Sequence, residues 1–216
     1  EKGELVGWDD PCLTTIVALR RRGFKPEAVK NFVVSTGLSK AEATVTWDDL
    51  VMHNKRLLDD ISSRFMIITD PAEVTVENCP EKRVERNLNP NKKDGGRVFE
   101  VNGEFLLSKE DLQSIQEEEV VRLMDCVNVI KKSGKLVYHS EGYFDFKGRG
   151  TKVISWLPKD SDNVEVEILL PDKHLKKGLA EANLRMIKED EVIQFERFGF
   201  CRLDDAKIMR FWYTHG

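Results

Sequence analysis

The apolar period of this 216-residue chain changes once, at Arg64, from that of a helix to that of a strand. Ahead of that point, Leu50, Leu57, Leu58 and Ile61 form one stripe at helical spacing, predicting a core-facing helix. Thr46-Trp47-Asp48-Asp49 opens it with the spacing of a capping box, and Ser39-Lys40-Ala41-Glu42 repeats that spacing upstream. His53, inside the stripe's helix, reads as a surface or half-buried residue. Beyond Arg64, Val74 and Val76 alternate with Glu73, Thr75 and Glu77, and Val164, Val166, Ile168 and Leu170 alternate with polar partners. Asn102-Gly103 between 98–101 and 104–107 predicts a two-residue hairpin turn. Further strands are predicted at 119–130, 135–140, 152–157, 163–170, 191–200 and 206–213. The fold class is α+β: a small helical subdomain over 1–63, then mainly antiparallel β over 64–216, as barrels or a sandwich. Residues 82–97, rich in turn residues, read as the longest loop.

The stretch Gly7–Gly37 organises the helical part. Asp10 is positioned to cap a helix that starts at Pro11, with Leu13, Ile16 and Val17 inward and Gly23 as a left-handed stop. Pro26 then opens a second helix with Val29, Phe32 and Val33 inward, closed by Gly37. Arg20, Arg21 and Arg22 fill the last turn of the first helix. They complement the helix dipole, yet three in a row exceed what capping requires. A solvated charged corner and a grip on phosphates both accommodate them.

Composition excludes more than it assigns. Hydrophobic content of 40% and charged content of 33% describe a well-solvated chain. No apolar run reaches the ~20 residues of a membrane helix, and no leader peptide is visible. The first residues are acidic and lack a start Met, so Glu1 reads as a cut end. Cys12, Cys79, Cys126 and Cys201 are dispersed without a CxxC pair, which disfavours zinc and dense disulfides and points to a reducing cytoplasm. They read as four small buried hydrophobes. The net charge of −4 argues against bulk attraction to nucleic acid, but cations concentrate in 82–97 and 131–152. Local basic stripes suit RNA bound by position.

GWDDPxLxTxxALRRRG (from Gly7) with its following helix resembles the segment after the active site in class I glutaminyl- and glutamyl-tRNA synthetases. The resemblance continues in SSRFMIITDPAEVTVEN (62–78), VISWLP (153–158) and QFERFGF (194–200), so it spans nearly the whole chain. It is closest to the archaeal and eukaryotic branch, and more specifically to an archaeal-type glutamyl-tRNA synthetase. It implies a helical tRNA-contacting subdomain over 1–63 and two anticodon-binding β-barrels over 64–216. It also implies a parent glutamate–tRNA ligase, acting in the cytoplasm on tRNA(Glu), with neither membrane nor DNA as partner; it leaves open whether tRNA(Gln) is a second substrate. ATP and Mg would serve the missing catalytic part. No HIGH- or KMSKS-type motif occurs here, so the resemblance implies no cofactor and no catalytic residue in this chain.

Carried over one residue at a time, Arg64 matches an arginine reaching the middle U of the anticodon. Arg122 matches one at the first anticodon base, and Gln194 and Arg197 match an amide and a guanidinium of the same pocket. Arg20, Arg21, Arg22, Lys147, Arg149 and Lys152 are the candidate phosphate contacts. Strict alternation would put Gln194 and Arg197 on opposite faces, so a bulge or a second barrel must intervene. The chain departs from the glutamine enzymes in two places. Ser114–Glu119 holds no cation where they read a third-position G, and Met124 stands where they have a second arginine. Losing the G-reading cations suits a third-position C, which favours the glutamate enzyme. The alternatives are the glutaminyl enzyme, a ribosomal-type RNA-binding barrel without activity, and a protein-interaction module.

Overall fold

The structure is a computed structural model that describes residues 5, 7–37, 44–93 and 95–216. The Ser39–Glu42 capping spacing lies outside them. Three helices lead: α1 (Ile16–Arg22), α2 (Pro26–Thr36) and α3 (Trp47–Ile61). The start of α1 corrects the expectation at Pro11. Asp10 spends its carboxylate on Cys12 N (3.1 Å) and on Lys173 (2.8 Å), and its carbonyl closes a turn at Leu13. Thr15 therefore becomes the cap, accepting from Ala18 N. The buried face moves with it to Ala18, Leu19 and Arg22, while Ile16 and Val17 face solvent and Leu13 is half-buried. Gly23 closes α1 at φ 99° as expected, and a Cβ there would sit 2.8 Å from Val192. The Thr46–Asp49 capping box forms in both directions. In α3, Leu50 and Leu58 are buried, but Ile61 is exposed because the helix ends at Ser62. Val33 of α2 is likewise exposed. His53 is half-buried against Ser35.

The strands are β1 (Arg64–Phe65), β2 (Ile67–Thr69), β3 (Pro71–Glu77), β4 (Lys82–Asn87), β5 (Gly96–Val101) and β6 (Glu104–Ser108). After α4 (Lys109–Ser114) come β7 (Val120–Leu123), β8 (Asn128–Lys132) and β9 (Lys135–Ser140). After α5 (Tyr143–Phe146) come β10 (Lys152–Ile154), β11 (Leu157–Pro158), β12 (Val164–Leu169) and β13 (Leu175–Ala180). A 3-10 helix (Ala182–Met186) precedes β14 (Val192–Phe195), β15 (Gly199–Asp205) and β16 (Arg210–His215). The class is α+β, as the sequence predicts. The hydrogen-bonded orders are β1-β14-β15-β16-β12-β13-β2 and β10-β7-β8-β9-β3-β6-β11, with β4-β5 apart. Pairing is mostly antiparallel, with β7–β10, β3–β9 and β12–β16 parallel.

Neither seven-stranded sheet closes, which corrects the expectation of two barrels. In each, the end strands are consecutive in the chain, parted by Met66 in one and by Ser155-Trp156 in the other. Two N–H groups at those breaks bond outside the ladders, whereas the Ser155 hydroxyl is buried without a partner among the described residues. Met66 N donates to the Glu181 carboxylate (2.8 Å), and Trp156 Nε1 donates to Met124 O (2.9 Å). Among the described residues no strand pairing joins the two edges of either sheet.

The Asn102-Gly103 hairpin is a second correction. The turn exists, with Gly103 at φ 92°, but β5 pairs β4 whereas β6 pairs β3 and β11. Gly103 O accepts from Val76 N (2.9 Å) instead of closing a two-strand ladder. Half of 82–97, read as a loop, is strand: residues 82–87 form β4 and 96–97 begin β5, with the turn between them. The segment predicted at 119–130 breaks at Met124–Val127 into β7 and β8, and β13 went unpredicted.

The chain forms two compact units. One comprises 1–64, 167–176 and 187–216, and the other 65–166 and 177–186. The first has a helical core of Leu19, Phe24 and Leu50, with Val29, Phe32 and Val51 around it, and a Phe195–Phe211 contact at 5.1 Å. The second is built on Trp156, fully buried, with Phe99 and Phe105 each 5.4 Å from its ring. Of the cysteines, Cys126 and Cys201 are buried, Cys79 is half-buried and Cys12 is exposed, so only two fill the core as expected.

Candidate nucleic-acid interface

The three arginines of α1 separate by helical phase, 100° per residue. Arg22 points inward and is 5% exposed, donating to Pro11 O, Tyr213 O (3.2 Å) and Thr214 O (2.8 Å). Burial lowers its pKa to about 10, still far above neutrality. Arg21 lies flat on Trp212, 4.1 Å from the ring centroid, and forks onto Asp204 (3.2 and 2.9 Å) while reaching Asp9 (2.5 Å). Asp204 is also bound by Arg202 (2.8 Å). Arg20 is exposed and has no partner among the described residues. It lines a groove of about 470 Å³ with Arg21, Lys25, Arg202, Asp9 and Asp190. The triplet is thus one structural arginine, one paired arginine and one offered to solvent.

Arg64 and Gln194 fall on neighbouring strands of the same unit, β1 and β14, joined where Gln194 N donates to Ser63 O (2.9 Å). Arg64 Nη2 is held by Asp59 (3.1 Å). Its Nε is buried without a hydrogen-bond partner, and so is Gln194 Oε1. A buried donor and a buried acceptor left open are costly, each by roughly 1–3 kcal/mol. Arg197 resolves the question of faces. It sits not in a strand but in the turn between β14 and β15, exposed, at φ 62°, with Phe198 N donating to Phe195 O. Alternation does not apply to it.

Arg122 belongs to the other unit. It is 9% exposed and is anchored through Nη1 alone, to Asn128 Oδ1 (2.8 Å) and Glu141 O (2.9 Å). Its other nitrogens have no hydrogen-bond partner among the described residues. Asn128 is itself fixed by donating to Ser140 Oγ and Gly142 O. Lys147 and Arg149 are exposed and without partners among the described residues. Lys152 is tied to Ser114 O (2.8 Å) and Glu119 (3.4 Å). The acids of Ser114–Glu119 hold turns: Glu117 accepts from Ser133 N and Gly134 N, and Glu119 from Gln116 N and Thr151 Oγ1. The basic stripe of 82–97 is mostly paired as well. Lys82 meets Glu141, Arg86 meets Asp125, and Arg97 meets Glu181.

Residue-by-residue reading missed Tyr143 and Phe144, 54% and 85% exposed. Adjacent aromatics between glycines, followed by Lys147 and Arg149, were the available signal. Among the described residues no group of His, Cys, Asp or Glu could hold a metal ion, and no helix is long and apolar enough to cross a membrane.

Two family models match the chain, both described as anti-codon binding domains of class I tRNA synthetases (E and Q), at 62–141 and 153–204. The chain is 40% identical to a glutamate–tRNA ligase of Methanothermobacter thermautotrophicus over 99% of its length. It is 37% identical to one of Pyrococcus furiosus over 94%, and 36% identical to one of Methanopyrus kandleri over 100%. It spans 38%, 37% and 40% of those proteins.

Proposed function

The chain belongs to the class I E and Q tRNA synthetases as their anticodon-binding part, and on that premise we propose that its parent is a glutamate–tRNA ligase. The ligation of glutamate, with ATP and Mg, would belong to the part of the parent outside this chain, whose sequence has no HIGH- or KMSKS-type motif. The helical part, 1–63, would hold tRNA by its phosphates, and 64–216 would read the anticodon of tRNA(Glu). The absence of a cation in Ser114–Glu119, where Glu117 and Glu119 accept from backbone N–H groups, supports the glutamate over the glutamine tRNA.

One observation carries the reading: Arg64 Nε and Gln194 Oε1, on the neighbouring strands β1 and β14, both lack a hydrogen-bond partner among the described residues. The pairing edge of uracil has carbonyl acceptors and an N–H donor, so guanidinium and amide together complement it. Arg64→Ala is expected to cost about 1–3 kcal/mol with cognate tRNA and far less with a tRNA whose middle base is C. A two-by-two cycle of Arg64→Ala against U→C tests it. Additive losses mean that side chain and base do not communicate, and the contact is abandoned. Charging assays of the parent on tRNA(Glu) and tRNA(Gln) decide the substrate.

For the phosphate contacts the geometry favours Arg20, Lys147 and Arg149 over Arg21, Arg22 and Lys152, whose cations already have partners. Arg20→Ala is expected to weaken tRNAs of any anticodon equally and to lower the salt slope of log K by about 0.7–0.9. A loss confined to one tRNA would rule out the phosphate role.

A further inference from the structure

We infer that Tyr143 and Phe144 form a stacking platform for an unpaired base of the RNA loop, a role that rests on the anticodon reading above. The geometry begins with Phe146. Its ring is 8% exposed, and a Cβ at Gly150 would lie 1.8 Å from it, so only glycine lets the chain close over it. Phe146 thereby fixes the single turn of α5 by its buried face. Tyr143 and Phe144 stay exposed on that turn, their rings 6.3 Å apart, with the Tyr143 ring also 6.3 Å from Phe146. An 85% exposed phenylalanine held on an ordered turn gains nothing from the core, so its area is available to a partner.

The surroundings select the partner. Arg122 lies 6.0 Å from the Tyr143 ring, with two of its nitrogens open. Lys147 and Arg149 follow on the same short loop, exposed and unpaired among the described residues. Aromatic faces beside cations that take phosphates, and a guanidinium that takes a base edge, are the chemistry of a single-stranded nucleic acid. The base stacked here would be next to, or the same as, the one Arg122 contacts.

The test uses the 216-residue chain and a transcribed anticodon stem-loop of tRNA(Glu). 2-Aminopurine replaces each anticodon base and its 5′ neighbour in turn. Binding is expected to quench one of these positions. Phe144→Leu and Tyr143→Leu, which keep apolar bulk but remove the ring, should abolish that quench and weaken binding roughly 5- to 100-fold. They should leave the salt slope unchanged, whereas Lys147→Ala should lower it by about 0.7. Unfolding midpoints equal to the unaltered chain's would show that the exposed substitutions leave the fold intact. If the unaltered chain binds and both leucine variants bind as well, the platform falls while the anticodon reading stands. If the unaltered chain does not prefer this stem-loop to a scrambled hairpin, both fall. Variants that change only self-association in sedimentation would assign the surface to protein contact and overturn the platform.

Discussion

Glu181→Ala is expected to cost the strand-rich unit about 3–5 kcal/mol, the scale of breaking a buried ion pair from one side. Arg97 donates from Nε to Oε1 (2.9 Å) and from Nη2 to Oε2 (2.6 Å), with both side chains 1% exposed. The same carboxylate accepts from Met66 N and from Asn183 Nδ2 (3.4 Å). Alanine would take this carboxylate from a buried guanidinium and leave Met66 N without its acceptor in a low-dielectric core. The double variant Arg97→Met with Glu181→Leu removes both charges and should recover most of the loss. It would still leave Met66 N open, at about 1–3 kcal/mol. Trp156 is the tryptophan of this unit and reports its urea transition. A single-variant loss under about 1 kcal/mol would mean that water or a rearranged side chain replaces the pair.

Acid should destabilise the helix-bearing unit through His215 before its carboxylates titrate. His215 is 3% exposed, between Phe24 (5.5 Å) and Phe200 (5.2 Å). Asn54 Nδ2 donates to its Nε2 (2.9 Å), and Asn54 Oδ1 accepts from Lys25 N (2.9 Å), which fixes the amide's orientation. Burial pushes the pKa down to about 4. The Gly216 carbonyl on Nδ1 opposes this, while Lys55 and Arg22 add to it. The unfolded imidazole takes its proton near pH 6.5 and the folded one only near 4. The stabilisation is therefore complete above pH 6.5 and is lost as pH falls to 4, on the order of 3 kcal/mol in total. Asp204 acts in a lower window. Burial would raise it, but Arg21 and Arg202 hold it below the ordinary aspartate value, so its contribution fades under pH 4. Urea midpoints between pH 7 and 4 should fall for the unaltered chain and stay nearly flat for His215→Gln. A parallel fall in the variant would place the titration elsewhere.

What the sequence alone determined is local or carried by motif. The change of period at Arg64, the Thr46–Asp49 capping box and the Gly23 stop depend on residues within four positions of one another, where chain connectivity fixes the geometry. The motifs were equally legible, and with them the assignment to anticodon binding. What only the tertiary structure decided involves partners far apart in the chain. Three adjacent arginines look alike in sequence, and only the carbonyls of 213 and 214 make Arg22 the buried one. Asn102-Gly103 specifies a turn but not which strands flank it; the β4 and β3 edges claimed β5 and β6 separately. Arg197 looked like a strand residue until the turn after Phe195 was seen. Glu181 lies 84 residues from Arg97 and 115 from Met66, and no local pattern announces that one carboxylate serves both. Pairing over such separations is set by the competition of many groups for few partners in a closed interior, which a linear sequence does not display.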